Sequence, residues 1–236
     1  MENLWRRIKR TLVIALLPAV LLSACGGGSS SQPTSARGWL KAAAAASSSA
    51  KSVNIAGYAS QSGKRIAFNL DSFKSGALDG TFDVGGAGTR IIELPNGSSY
   101  LRATAGFWSF LTSAVHLPAS SAARLAGHWV NFPSGIVGQI TAGLSLKTFS
   151  SALAKKVSAK IVGHKKVGGQ ETVAVEGPKH LVVYVATSSP HYPLMAAPQA
   201  GSASSGQIRF SRWGKGTPPS APKGALSAKQ LLGGLG

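Results

Sequence analysis

The only cysteine of this 236-residue chain, Cys25, stands where a thiol can be modified. It closes the run Leu22-Ser23-Ala24-Cys25 and is followed by three glycines and three serines. A cysteine thiolate is a nucleophile, so the chemistry open to this residue is formation of a thioether or an acyl bond. The residues around it indicate which of these to expect.

The segment before Cys25 has the features of an export signal. A basic segment, Trp5–Arg10, precedes the apolar run Leu12–Leu22, whose 11 residues are too few to span a bilayer as a helix. The four residues ending at Cys25 resemble the bacterial lipobox, in which the sulfur receives a diacylglyceryl group and the signal peptide is removed. We therefore expect residues 1–24 to be a lipoprotein signal peptide. An ordinary secretory signal beside an unrelated thiol is the alternative.

Lipidation of Cys25 would place the chain at the membrane and would make this cysteine the first residue of the mature protein. About two lipid signals are needed for stable anchoring, and a diacylglyceryl group with acyl chains such as palmitate supplies them. We expect the protein on the extracytoplasmic face of the cell membrane, as a monomer. Residues 25–35 would be the lipidated cysteine and a flexible tether, 36–215 one folded domain, and 216–236 a C-terminal strap.

The mature chain is strongly basic. Of 25 basic and 7 acidic residues, four basic and one acidic precede Cys25, which leaves 21 and 6, or a net charge of +15. This surplus predicts attraction to anionic headgroups or wall polymers, unless it is only a solvated surface. Nucleic acid is not expected as a partner, because no nucleic-acid motif accompanies the charge. The predicted headgroup contacts are Lys155, Lys156, Lys160, Lys165 and Lys166.

The sequence offers little material for catalysis. It contains no G-x-S-x-G elbow, phosphate-binding loop or H-E-x-x-H motif. Two S-x-x-K matches, at 48–51 and 220–223, lack the other penicillin-binding elements, and the five histidines have no ligand spacing. A lipidated Cys25 also leaves no thiol for a disulfide, a zinc–thiolate site or a cysteine enzyme. We expect no enzyme, no cofactor and no metal.

The elements that follow the tether change from helical to extended. The alanine-rich stretch after Trp39 predicts a helix that begins at an N-cap on Thr34 or Ser35 and ends near Ala50. From residue 53 the hydrophobic period becomes two, most clearly over 78–84, and short glycine-bearing turns separate the segments. Up to five consecutive strands of an antiparallel sheet are expected.

Three helices are predicted within residues 104–154, before strands resume at 157–187, 191–195 and 207–213. A last short helix is expected over 225–232. The fold class is therefore α+β: a large curved antiparallel sheet, or half-barrel, whose concave face is covered by helices. If the helices fill the concavity the result is a solid core, and if they only roof it the result is an apolar pocket. Both remain open at this point.

Several segments, in this order, resemble the actinobacterial lipoproteins of the LppX/LprAFG type, whose fold is similar to the LolA/LolB lipoprotein carriers. The segments are Lys51–Gly57, Phe107–Leu111, Leu125–Val130, Leu181–Thr187, His191–Leu194 and Ile208–Gly214. The resemblance implies a half-barrel closed by helices over a hydrophobic cavity. Several members of that group bind or ferry lipids or lipidated glycans.

The expected function is thus to bind a lipid or lipidated glycan in a hydrophobic cavity, with carriage as one form of that function. Partners would be membrane lipids through the Cys25 anchor, the lipid or glycolipid ligand, and an envelope transporter. The alternative is a non-catalytic lipoprotein that binds an anionic wall polymer or a partner protein through its basic surface. Strand parity predicts these cavity residues: Ile55, Phe68, Leu70, Phe82, Val84, Phe107, Trp108, Phe110, Leu111, Trp129, Phe132, Val183, Val185, Ile208 and Phe210.

Overall fold

The computed structural model describes residues 32–61, 64–115, 120–132, 141, 144–199 and 205–227. The predicted signal peptide, Cys25 and most of the tether lie outside these residues. The folded unit begins at Gln32.

One twelve-stranded sheet dominates the described part of the chain. It is open, with β7 at one edge and β12 at the other, in the order β12-β6-β5-β4-β3-β2-β1-β11-β10-β9-β8-β7. All neighbours are antiparallel except β12, which runs parallel to β6. The predicted α+β class is confirmed. The strands are β1 Ser52–Gln61, β2 Lys64–Phe73, β3 Leu78–Val84, β4 Ala87–Glu93, β5 Ser99–Ala103, β6 Val130–Phe132, β7 Lys160–Val167, β8 Gln170–Glu176, β9 Leu181–Ala186, β10 Pro193–Pro198, β11 Gly206–Ser211 and β12 Leu226–Ser227.

Strand β1 lies at the centre of the sheet and joins two meanders. It pairs with β2, the first strand of the run β2–β5, and also with β11, the last strand of the run β7–β11.

Two glycines on the helix-covered face, Gly57 on β1 and Gly80 on β3, let the sheet bend at these strands. A Cβ on Gly57 would lie 3.0 Å from Ile208 Cα, and one on Gly80 would lie 2.7 Å from Leu70 Cα. Only glycine allows strands to approach so closely, which permits the sheet to curve toward the helices.

Four α-helices occur in the described residues: α1 Ala36–Ser49, α2 Ala105–Val115, α3 Ser120–Leu125 and α4 Leu146–Ala154. The hydroxyl of Ser35 accepts a hydrogen bond from the Gly38 amide and caps α1, as one of the two predicted N-caps. Ser145 caps α4 through the Thr148 amide. The first amide of α4 also donates to the buried Ser72 hydroxyl on β2, at 2.9 Å, which fixes this helix to the sheet.

The helices pack on one face of the sheet in two pairs. Helices α1 and α4 contact each other and cover β1 and β8–β11, around Trp39, Val53 and Val175. Helices α2 and α3 cover β2–β6 around Trp108 and Leu125. The helices predicted in the middle segment therefore do lie over the sheet, as the sequence led us to expect.

The C-terminal segment differs from its prediction. A short helix was expected over 225–232, but Leu226 and Ser227 form strand β12 beside Val130 and Asn131. Pairing with the otherwise free edge of β6 satisfies backbone groups that local helix propensity does not take into account. Residues 228–232 of that predicted helix lie outside the described residues.

Candidate functional site

The core face of the sheet is defined by rows of residues that lie opposite one another on adjacent strands. Ile55 is opposite Phe210 on one side and Leu70 on the other. The row continues through Gly80 to Ile91 on β4. Because side chains alternate between faces along a strand, every residue two positions away shares this face. The apolar residues predicted by parity on β1–β3 and β9–β11 therefore lie on one surface, beneath the helices.

Most of the predicted cavity residues divide between the two helix-covered clusters. The cluster under α1 and α4 contains Ile55, Val183, Val185 and Phe210, all buried. The cluster under α2 and α3 contains Leu70, Phe107, Trp108 and Leu111, also buried. Phe68 packs against both clusters. It marks the position on the sheet where they meet.

Between the clusters, the core face is incompletely covered. Five apolar side chains there are only half-buried, although they face the helices, and we call them the apolar strip: Ile66, Phe68, Phe82, Val84 and Ile208. They are contiguous, since Phe68 is opposite Phe82, Ile66 is opposite Val84, and Gly57 lies between Phe68 and Ile208. Gly57 has no side chain, and the tip of the Phe68 ring lies 3.1 Å from where its Cβ would be, so this ring covers the centre of the row.

Aromatic residues of the helices border the apolar strip. Phe149 of α4 stacks on Phe210, with 4.2 Å between ring centroids. On α2, Phe107 and Trp108 are buried, whereas the predicted cavity residue Phe110 is 44% exposed, with the Lys64 ammonium 5.8 Å from its ring. The helix therefore turns Phe107 and Trp108 into the core and leaves Phe110 at its rim.

One predicted cavity residue lies on the other face of the sheet, and the side chain of a second lies outside the described residues. Val130 lies opposite the core residue Leu101, so Trp129, one position earlier, belongs to the other face of the sheet. Its ring lies under the Arg90 guanidinium at 5.9 Å. Phe132 belongs to β6 by its backbone, and its side chain lies outside the described residues.

Ile66, a member of the apolar strip, and Phe149, which borders the strip, were absent from the predicted set of cavity residues. Ile66 continues the alternating series of Phe68 and Leu70 two residues earlier, so the parity signal that located those residues was sufficient to find it. Phe149 is a single aromatic residue on a short helix. Its position depends on how α4 packs, which no local pattern encodes.

Comparison with solved structures identifies the fold of this chain. LprF from Mycobacterium bovis superposes with a TM-score of 0.52 at 15% identity, over 78% of this chain and 96% of that one. The Mycobacterium tuberculosis lipoprotein LppX superposes with a TM-score of 0.50 at 14% identity, over 77% of this chain and 96% of that one. The chain has the LprF/LppX fold. No protein-family model matches the sequence, and no curated protein matches it either.

The LprF/LppX fold places the predicted basic residues at one edge of the sheet. Lys155 and Lys156 follow α4, and Lys160, Lys165 and Lys166 lie on the edge strand β7. All five are exposed. Lys166 pairs with Glu171 at 3.2 Å, and the Lys165 ammonium lies 4.7 Å from the Tyr184 ring. Lysines on an edge strand also protect its free backbone groups from pairing with another chain.

Two glutamates have side-chain pKa values that are shifted in opposite directions. Burial raises the pKa of Glu93 above its ordinary value, and a hydrogen bond donated by the Thr141 hydroxyl partly opposes this. The pKa of Glu176 is lowered, chiefly by the His180 ring, whose Nδ1 lies 2.8 Å from Oε1. The Lys160 ammonium, 3.1 Å from the other carboxylate oxygen of Glu176, acts in the same direction.

The opposite face of the sheet is polar, and a depression of about 670 Å³ opens there whose lining also includes Phe68 and Phe82 of the apolar strip. The cross-strand row Asn69, Thr81, Arg90 and Arg102 contributes to its lining. Arg90 is paired with Asp79, and Arg102 donates to the Gly127 carbonyl. Both guanidinium groups are thus engaged within the protein.

Within the described ranges, no cluster of three or more His, Cys, Asp or Glu side chains has the arrangement of a metal site. Among the same residues, no helix is long and apolar enough to cross a membrane.

Proposed function

We propose that this protein is an envelope lipoprotein that binds the acyl chains of a lipid or lipidated glycan between its sheet and its helices, and that Cys25 anchors it to the membrane. The observation that carries the proposal is the apolar strip. Five contiguous apolar side chains face the helices and remain half-buried, between two well-packed clusters. The LprF/LppX fold and the basic mature chain support the same reading.

The binding mode follows from the chemistry of the strip. A ligand acyl chain lying on Phe68, Phe82 and Ile208 would lose contact with water, and each buried methylene contributes about 0.8 kcal/mol before ordering costs. Apolar contact needs no exact polar geometry. The site would therefore select for chain length and saturation more than for a particular headgroup.

Extraction of bound lipid tests the proposal. Protein lacking the anchor would be purified from a bacterium that makes such envelope lipids, extracted with organic solvent, and analysed by mass spectrometry. Stoichiometric lipid is expected, together with uptake of a fluorescent fatty acid by delipidated protein. Reproducible absence of both would refute acyl-chain binding.

The variant Phe68→Gln tests whether the fatty acid binds at the apolar strip. A polar amide at the meeting point of the two clusters should weaken fatty-acid binding by more than about tenfold, because apolar contact is lost and a polar group is desolvated. The matched control is Val162→Gln, which changes an apolar side chain that is 40% exposed on the edge strand β7. Equal affinity of both variants would show that the ligand lies elsewhere.

A further inference from the structure

A second cleft, of about 500 Å³, lies at the end of strand β11. Its lining includes Tyr192, Arg209, Arg212, Trp213 and Lys215. Arg209 is one position before the core residue Phe210, so its side chain leaves the sheet on the face away from the helices. The cleft is therefore separate from the apolar strip.

The charges in this cleft are unbalanced. Its lining contains three cationic side chains and no acidic one. Arg212 lies 3.6 Å from the Asp71 carboxylate. Arg209 and Lys215 are exposed, and neither forms an ion pair with any residue that the structure describes. Arg209 and Lys215, which line one cleft without a counter-charge, therefore attract an anion from solution.

The shape of the cleft is fixed by the backbone and by aromatic stacking. Arg212 has a positive φ of 53°, which turns the chain directly after β11 and brings Trp213 and Lys215 back beside Arg209. Trp213 stacks on Tyr192 with ring centroids 4.4 Å apart and the planes within 4° of parallel. The Gly214 amide donates to the Ser52 carbonyl at 2.8 Å and holds the turn against β1. The cations thus share the lining of the cleft with a stacked aromatic pair, which we call the aromatic wall.

We propose that this cleft binds a phosphate ester. A phosphate group offers several acceptor oxygens and up to two negative charges, which match the forked donors of Arg209 and the point charge of Lys215, while Arg212 is shared with Asp71. A carboxylate, with a single charge and two oxygens, would leave part of this set unpaired. The aromatic wall would contact the glycerol or sugar attached to the phosphate. This site goes beyond acyl-chain binding and does not depend on it.

Calorimetric titration of the mature chain without the proposed lipid anchor at Cys25 tests the proposal with two ligands, soluble glycerol 3-phosphate and vesicles containing phosphatidylglycerol. Arg209→Gln/Lys215→Gln should weaken binding by at least about tenfold, since two charge-assisted contacts are lost. The matched control is Arg37→Gln/Lys41→Gln, which removes one arginine and one lysine, both exposed, from α1. It should change affinity less than about twofold. Thermal unfolding of each variant checks that it is folded.

The site within the protein is located by tryptophan fluorescence. Ligand should change the emission of the parent protein, and Trp213→Phe, which keeps an aromatic ring beside Tyr192, should abolish the change. Binding of glycerol 3-phosphate without vesicle binding supports a site for free phosphate esters, and binding of both supports a headgroup site. Equal losses in the two double variants, no binding of either ligand, or equal affinity for acetate would each overturn the proposal. Fatty-acid uptake, measured on the same Arg209→Gln/Lys215→Gln protein, reports separately on the apolar strip.

Discussion

Single residues in this protein carry charges that their neighbours adjust, as Glu93 and Glu176 show. Glu93 lies at the end of β4 with partial burial as its main influence, whereas the Glu176 carboxylate, only 6% exposed, is held between Lys160 and His180. The same side-chain chemistry is thus disfavoured as an anion at one position and favoured at the other. The two sites make opposite contributions to stability as pH changes.

We expect Glu93→Gln and Glu176→Gln to shift the free energy of unfolding in opposite directions near neutral pH. A raised folded pKa costs stability once the pH rises above the ordinary value of 4.5, so Glu93→Gln should stabilise the protein there. A lowered folded pKa contributes stability above 4.5 that is lost as pH falls, so Glu176→Gln should destabilise it. Urea unfolding at neutral pH and below about pH 4 measures both effects. Each difference should shrink in acid, and shifts of the same sign would contradict this account.

The role of an individual residue could be predicted from the sequence where it depends only on neighbouring residues. Ser35 was one of two candidate N-caps, and the structure selects it. Trp129 shows the limit, because its face depends on the register of β6 against β5, in which Leu101 pairs with Val130, 29 positions later in the sequence. The turn at Arg212 that forms the cationic cleft gives no local signal, since a positive φ at arginine is not a sequence preference.

Whole elements follow more directly from the sequence. Alternation over 78–84 predicted β3, and the Asn96-Gly97 pair between β4 and β5 predicted a turn, which Gly97 makes with a φ of 83°. Strand β12 could not be predicted in this way. It is two residues long, and it exists because β6 offers a free edge, which is a property of the folded sheet.

Gly80→Ala tests whether glycine is required for the close approach of β3 to β2. The new methyl group would overlap the Asn69 carbonyl oxygen and crowd Leu70 Cα, so unfolding should become easier by about 1–3 kcal/mol. Gly88→Ala on β4 is the control, because its methyl would meet only the Asp83 carboxylate at 3.7 Å. That change should stay within about 0.5 kcal/mol by urea unfolding. Similar losses for both variants would contradict this account, because the loss at Gly80 would then not come from its close contact with β2.

At the scale of the whole molecule, the proposed anchor and the proposed ligand site lie in different parts of the chain. The fold and the helix-covered face were predictable because parity and helix propensity agreed along most of 36–215. Whether helices fill or only roof the sheet was not predictable, since it depends on how two helix pairs divide one surface. The half-buried apolar strip appears only when both pairs are in place.

Cys25→Ala tests the proposed anchor. Without the sulfur no diacylglyceryl group can be attached, so the protein should leave the membrane fraction for the medium or remain uncleaved. Fractionation with immunoblotting measures the distribution, and Ser29→Ala, a nearby change in the tether, is the control. Mature protein that stays on the membrane despite Cys25→Ala would refute lipidation at this residue.

The central position of β1 has a consequence for how the chain folds. Each meander is built from hairpins between neighbours in sequence, but the seam between β1 and β11 joins residues as far apart as Asn54 and Ser211, a separation of 157. Closing so long a loop is slow, so the two meanders should form first and the seam last. Until β11 is available, the edge of β1 stays unpaired. An incompletely folded chain would therefore be most vulnerable to aggregation while β1 still lacks β11.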